Sequence, residues 1–275
     1  MSASRHEHPE LGAPELIEVA DRVFAYVQPD GSWYINNTGF VVGRSGVISI
    51  DACSTERRTR AYLDRIASVS PAPVTMLVNT HHHGDHTYGN SLFGGAVIIG
   101  HENCRTAMIA TGLLGNTGIW DPVDWGDLTL APPVLTFTDR IRLWPDDHPL
   151  DVSFAGQAAH TTNDALVWLP EHQVLFCGDL LGPPCDHQLI GVMAGYMEFV
   201  LATAAKGIAA GLSPLELARE TDLGEYAGWL DSERIVGNLH RAYADLGAAG
   251  PDVDVFAAFR DMVDYNGGKP LSCFA

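Results

Sequence analysis

The run Val74–Val78, apolar but for Thr75, goes straight into Asn79-Thr80-His81-His82-His83-Gly84-Asp85-His86, and this junction constrains the chain more than any other. A largely apolar run of that length is expected of a strand covered on both faces. Its end supplies a rigid base for the polar residues that follow. Residues two apart in an extended segment project to the same side, so His81 and His83 are placed to grip one ion together. Asp85 and His86 come where the chain turns into a helix and point to a neighbouring position. Imidazole and carboxylate are ligands suited to a borderline ion such as zinc.

The pattern around this junction predicts strands, then a helix, and then the same order again. Residues 16–27 and 33–42 are rich in β-branched and aromatic residues, with a turn signal at Pro29-Asp30-Gly31 between them. Val47–Ile50 is a short apolar strand ending at Asp51, after which Ser54 or Thr55 can cap a helix over Glu56–Val69, with Tyr62, Leu63 and Ile66 on one face. Further strands are expected at 134–144, 150–155, 165–169 and 174–177. From Gly191 the chain reads as helical, with an N-cap and Pro at Ser213-Pro214 and another helix over 232–246. No repeat or low-complexity linker divides the 275 residues, so one domain over 1–275 is expected, with a tail at 1–14 and a helical part at 191–275. The expected class is α+β, two sheets packed face to face with helices outside.

The order H-x-H-x-D-H after a strand resembles the signature of the metallo-β-lactamase superfamily, matched by His81, His83, Asp85 and His86. Gly156-Gln157-Ala158-Ala159-His160-Thr161 is similar to the family's G-x-x-H-T element, and Phe176-Cys177-Gly178-Asp179 to its strand-end G-D. The resemblance spans roughly residues 16–180. It implies an αββα sandwich and two zinc ions. His81, His83 and His160 would hold the first ion, Asp85 and His86 the second, and Asp179 both. Asp51 matches a buried acid that supports the site. An aspartate rather than a cysteine at 179 points toward the lactonase, glyoxalase and thioesterase side of the family. His83 stands where iron-using members carry Glu, so zinc is the implied metal. Asp85 would orient the attacking water and carry a proton. One departure stands out: after Asp179 the family continues to a G-H-G strand whose histidine completes the second ion's ligands, whereas here Gly182-Pro183 follows almost at once. Either the chain has a true deletion or a loop is omitted. His187 and His240 are the available substitutes.

Composition narrows the substrate. The net charge of -18, from 34 acids against 16 bases, repels phosphate backbones and disfavours a nucleic-acid partner. No apolar leader is seen and no stretch reads as long and apolar enough to span a bilayer, so a cytoplasmic protein without a membrane partner is expected. Five scattered cysteines without C-x-x-C spacing fit reduced thiols. Trp33, Tyr34 and Asn36 at a hairpin tip, and Trp120 in the long apolar segment 106–133, are candidate substrate-binding residues. That segment reads either as a lid or as a piece packed on the core. The run from Tyr26 through Asn36-Asn37, with Glu56-Arg57-Arg58, is similar to an actinobacterial branch of the superfamily. That branch includes cyclase/thioesterases of aromatic polyketide pathways. The resemblance implies hydrolysis of a carrier-protein-bound aryl thioester coupled to closure of a second ring, with Arg57, Arg58 and Arg60 as a docking patch. The alternatives are a hydrolase of small lactones or β-lactams, and a metal-binding protein without turnover.

Overall fold

The computed structural model describes residues 12–29, 32–113, 118–180, 187–250 and 253–275. The turn expected at Pro29-Asp30-Gly31, most of the expected tail 1–14 and the segment after Leu180 that was read as shortened fall largely outside those residues, as do Leu114 and Cys185. The chain groups into two compact units. One comprises 9–115, 123–182 and 274–275, and the other 1–8, 116–122 and 183–273.

The first unit holds two sheets. Strands β1 (Glu15–Ala20), β2 (Val23–Val27), β3 (Thr38–Val42) and β4 (Val47–Ile50) precede helix α1 (Glu56–Val69), strand β5 (Val74–Val78) and the short helix α2 (Gly84–Thr87). Strand β6 (Val97–His101), helix α3 (Glu102–Thr111) and strands β7 (Leu135–Phe137), β8 (Arg140–Leu143), β9 (Leu150–Phe154), β10 (Ala165–Leu169) and β11 (Val174–Phe176) follow. The larger sheet runs β1 to β7 in chain order, antiparallel up to β4 and parallel from β4 onward. The smaller, fully antiparallel sheet is ordered β11-β10-β9-β8.

Alternation of apolar residues directs one face of each sheet inward. Val23, Val41, Ile48, Ile50, Val78, Ile99 and Phe137 from the larger sheet share a core with Leu143, Leu150, Val152, Ala165, Val167 and Leu169 from the smaller. The other face of the larger sheet is covered by α1, whose buried Tyr62 and Ile66 pack with Phe24, Tyr26, Phe40, Val47 and Leu77. Thr55 caps α1, accepting a hydrogen bond from the Arg58 amide. The result is a two-sheet sandwich of the α+β class with helices outside, as the strand pattern implied.

Three sequence expectations need correction. Residues 33–37 are not strand, because the side chains of Gln28, Asn36 and Asn37 tie that segment into a loop, the Gln28 amide donating to Asn37 Oδ1 at 2.8 Å. The expected strand 134–144 is two strands in different sheets, the chain switching between β7 and β8 at Thr138-Asp139, where the Asp139 carbonyl accepts from the Phe154 amide. The segment 106–133 begins as part of α3, with Cys104 and Met108 buried.

The second unit contains helices α4 (His187–Ala210), α5 (Pro214–Glu220), α6 (Arg234–Asp245) and α7 (Val255–Tyr265). Ser213 and Glu216 form a reciprocal capping box at α5. Tyr196, Val200 and Ala204 of α4 and Ile235, Val236 and Leu239 of α6 are buried. The 22 residues Leu189–Ala210 contain an 18-residue stretch of mean hydropathy 1.3, so this helix is long and apolar enough, by length and composition, to cross a membrane, contrary to the sequence reading. Glu198 and Lys206 are its only charges, and its Ala and Gly content had disguised its apolar character.

Candidate metal centre

The site gathers at one end of the sandwich, built from segments that leave strand ends. Asp51 follows β4, the histidine cluster follows β5, His160 lies between β9 and β10, and Asp179 follows β11. The Thr80 carbonyl accepts from the Ala165 amide at 2.7 Å, linking the β5 and β10 segments. Gly178 adopts φ +53°, and a Cβ there would lie 2.6 Å from Thr80 Oγ1. Glycine at this position therefore lets Asp179 approach the histidines.

His81, His83, His160 and Asp179 each offer a ligand atom, all within 4.8 Å of one another. Asp85, His86 and Asp179 form a second such group. The two share one carboxylate: Asp179 Oδ1 lies 3.0 Å from His86 Nε2, while Oδ2 lies 3.3 Å from His160 Nε2 and 3.9 Å from His81 Nε2. His160 Nε2 and His83 Nδ1 stand 3.0 Å apart.

Two features show that the residues fit a metal. His81 Nε2 and His86 Nε2 are buried and lack a hydrogen-bond partner, although each points at the Asp179 carboxylate. A buried polar atom left unpartnered is costly, and an ion at each of the two groups would satisfy its nitrogen. Burial, reinforced by the neighbouring His86 and His83 rings, holds the His81 pKa well below the usual value, and burial pushes His83 down to about 3. Both rings thus keep the neutral lone pair that a metal requires. Burial opposes charge on His86 too, but Asp179, Asp85 and Asp51 outweigh it and raise its pKa. Burial would raise Asp179, but His86 beside it overrides this and keeps it ionised.

Asp51 organises the base. Its backbone has φ +62°, its side chain is buried, and its carboxylate accepts from the Thr80 amide at 2.7 Å, from Thr80 Oγ1 at 2.7 Å and from His86 Nδ1 at 2.8 Å. Holding Nδ1 leaves Nε2 free for a ligand role. His81 Nδ1 lies 3.1 Å from Thr80 Oγ1. His160 is carried on a turn where Asp164 accepts from both the Thr161 amide and its hydroxyl at 2.7 Å. Asn163 Nδ2 donates to His82 Nδ1 at 3.0 Å. Thr80, Asn163 and Asp164 were not singled out from sequence, although Thr161-Thr162-Asn163-Asp164 is a turn signature that could have suggested the last two.

The family profile described as the metallo-beta-lactamase superfamily matches residues 31–244. The chain belongs to that superfamily. It is 23% identical over 170 residues to "Metallo-beta-lactamase type 2" of Bacteroides fragilis, a match covering 60% of this chain and 62% of that protein's length. Among solved structures, the DIM-1 metallo-beta-lactamase is 16% identical, covers 65% of this chain and 75% of its own, and superposes with a TM-score of 0.50. A metallo-beta-lactamase from Pontibacter korlensis is 20% identical, covers 60% of this chain and 71% of its own, and has a TM-score of 0.49. At these identities the structural likeness concerns the superfamily fold alone.

The other predicted residues fall in different places. Trp33 and Tyr34 are half-buried on the 28–37 loop of the sandwich. Asn36 is buried beneath that loop, donating to the Ala52 carbonyl and accepting from Gln28 Nε2, so it supports the loop rather than facing solvent. Trp120 belongs to the helical unit, where it is buried edge-on against Phe259. His240 Nε2 is 2.8 Å from Asp261 Oδ2, within the helical unit. The His187 side chain lies outside the described residues. Within the expected basic patch, Arg57 and Arg60 are exposed while Arg58 is taken up by internal contacts. Arg58 donates to Gln28 Oε1 and the Phe274 carbonyl, and Arg60 pairs with Glu56.

Proposed function

We propose that this chain is a dinuclear zinc hydrolase that attacks an activated carbonyl, with an aryl thioester as substrate. The observation that carries the reading is the pair of buried, unpartnered imidazole nitrogens on His81 and His86, facing one shared carboxylate. His81, His83 and His160 would hold one ion, and Asp85 and His86 the other, with Asp179 contributing to both. When bound, such ions acidify water and polarise a carbonyl. Asp51 fixes the direction of His86 and, through Thr80, of His81. Asp85, on the first turn of α2 beside His86, is the residue placed to orient water and carry a proton to the leaving group. Release of the thiol would accompany closure of a second ring in an aromatic polyketide held on a carrier protein, in a cytoplasmic setting. The resemblance of 26–37 and 56–58 to cyclase/thioesterases supports that finer reading.

A second reading, hydrolysis of a small lactone or β-lactam, is favoured by the likeness to the metallo-beta-lactamase type 2 of Bacteroides fragilis. Protein purified with zinc is assayed for metal content and, in parallel, for thiol release from an aryl thioester and for opening of a lactone and a β-lactam. About two zinc ions and thiol release abolished by chelator are expected. Turnover of the ring substrates alone moves the assignment to the second reading. Hydrolysis that survives complete metal removal refutes both.

A further inference from the structure

A trio of aromatic rings adjoins the histidine loop. Tyr34 and Trp125 meet edge-on with centroids 4.9 Å apart, Tyr34 and Tyr88 lie 5.9 Å apart, and Tyr88 and Trp125 5.7 Å. Tyr88 is buried directly against the loop, since a Cβ on Gly84 would come 2.3 Å from its ring. Gly84 immediately precedes Asp85. Tyr34 and Trp125 are half-buried, so they present ring surface while Tyr88 backs them. Tyr34 holds φ +63°, a left-handed backbone that an aromatic residue seldom adopts and that persists only when its surroundings impose it.

Those surroundings lead back to the first turn of α1. The Glu56 amide donates to the Trp125 carbonyl at 3.0 Å, and Glu56 Oε2 accepts from the Asp127 amide at 2.7 Å. Gly126 between them has φ +78°, and a Cβ there would lie 2.4 Å from Glu56 Cβ, so the loop is seated tightly on this one side chain. Two residues on, Arg58 Nη1 donates to Gln28 Oε1 at 2.8 Å, and Gln28 in turn binds Asn36 at the far end of the loop bearing Tyr34. Glu56 and Arg58 thus fix two separate loops from positions two apart on one helix.

We infer that Trp125, held by the positioning residue Glu56, is a specificity-determining residue that selects a flat aryl acyl group beside Asp85. The inference rests on the hydrolase reading for its reaction, but not for its binding surface. The half-buried indole of Trp125 offers a π-face to a planar partner, which a saturated ring of the same size cannot match.

The test uses two probes, 2-naphthoate and cyclohexanecarboxylate, titrated calorimetrically into the zinc-loaded protein. Trp125→Ala is expected to weaken naphthoate about tenfold, the upper end for one aromatic pair, and to change cyclohexanecarboxylate less than about twofold. Glu56→Ala shifts naphthoate in the same direction. Glu56→Gln keeps an acceptor for the Asp127 amide and stays near wild type, which a merely structural loss would not do. Trp125→Phe retains most of the preference and serves if the alanine variant misfolds. Equal loss of both probes, or none, overturns the inference. Naphthoate selectivity without thioester turnover leaves the aryl surface standing and removes the hydrolase. Turnover without selectivity does the reverse.

Discussion

Replacing Asp51 by asparagine isolates the support of the metal site from its ligands. Asparagine matches aspartate in shape and tolerates the φ of +62° at this position, so backbone strain does not enter. What changes is acceptor capacity. Oδ1 takes the Thr80 amide, and Oδ2 takes both Thr80 Oγ1 and His86 Nδ1. An amide keeps one oxygen. Placed at Oδ1 it forfeits two bonds, and placed at Oδ2 it leaves the Thr80 amide facing an NH2 group. With buried hydrogen bonds to a charged group contributing about 1.5–3 kcal/mol each, the loss in stability is roughly 2–4 kcal/mol after partial relaxation. Releasing Nδ1 also frees the His86 ring to rotate, and loss of such outer partners weakens metal binding roughly 10–100-fold. The assay is chelator competition for zinc, followed beside urea unfolding of the metal-free protein. The ion on Asp85 and His86 should weaken more than the ion on His81, His83 and His160, because His86 loses a direct partner whereas His81 is reached only through Thr80. Two zinc affinities equal to wild type in Asp51→Asn would refute the reasoning. So would equal weakening of both.

Other perturbations probe the ligands and the frame. His160→Ala removes a half-exposed ligand from a turn whose own bonds run through Thr161 and Asp164, so unfolding should shift little while turnover falls by orders of magnitude; a near-wild-type rate would argue against His160 as a ligand. Tyr62→Phe strips a buried hydroxyl that donates to the Gly39 carbonyl at 2.5 Å and sits 2.9 Å from Ser49 Oγ, and urea unfolding should show a loss of about 1–3 kcal/mol. Gly39→Ala puts a methyl 2.2 Å from the Phe176 ring of the facing sheet and 2.8 Å from the Phe24 carbonyl, so the melting temperature should drop by the equivalent of about 1–3 kcal/mol or more.

The contrast between what the sequence disclosed and what it hid follows from the range of the interactions involved. Helix α1 could be bounded correctly at Glu56–Val69 because its signals, a Thr55 cap and Tyr62 and Ile66 on one face, lie within a few residues of one another. The cluster 81–86 was legible for the same reason: chemistry and spacing sit in one short string. His160 and Asp179 were readable only as members of an ordered set, since neither carries a local signal that separates a ligand from a turn residue. Residues 33–37 were misjudged as strand because their types favour strands, whereas the shape of this segment is set by Gln28 reaching Asn36 and by Arg58 reaching Gln28 across 30 positions. Strand β6 was passed over, although Val97–Ile99 is apolar, because its role appears only when it pairs parallel with β5 and β7. Trp125 belongs with these. Nothing near it in the chain distinguishes it from Trp120, yet one ring stands beside Tyr34 and Tyr88 while the other is buried against Phe259. The candidate metal ligands at 81–86 could be proposed from local pattern because metal chemistry restricts residue type and spacing. The residues that would choose a substrate are set by contacts distant in sequence, so they emerge only once the sheets have brought their loops together.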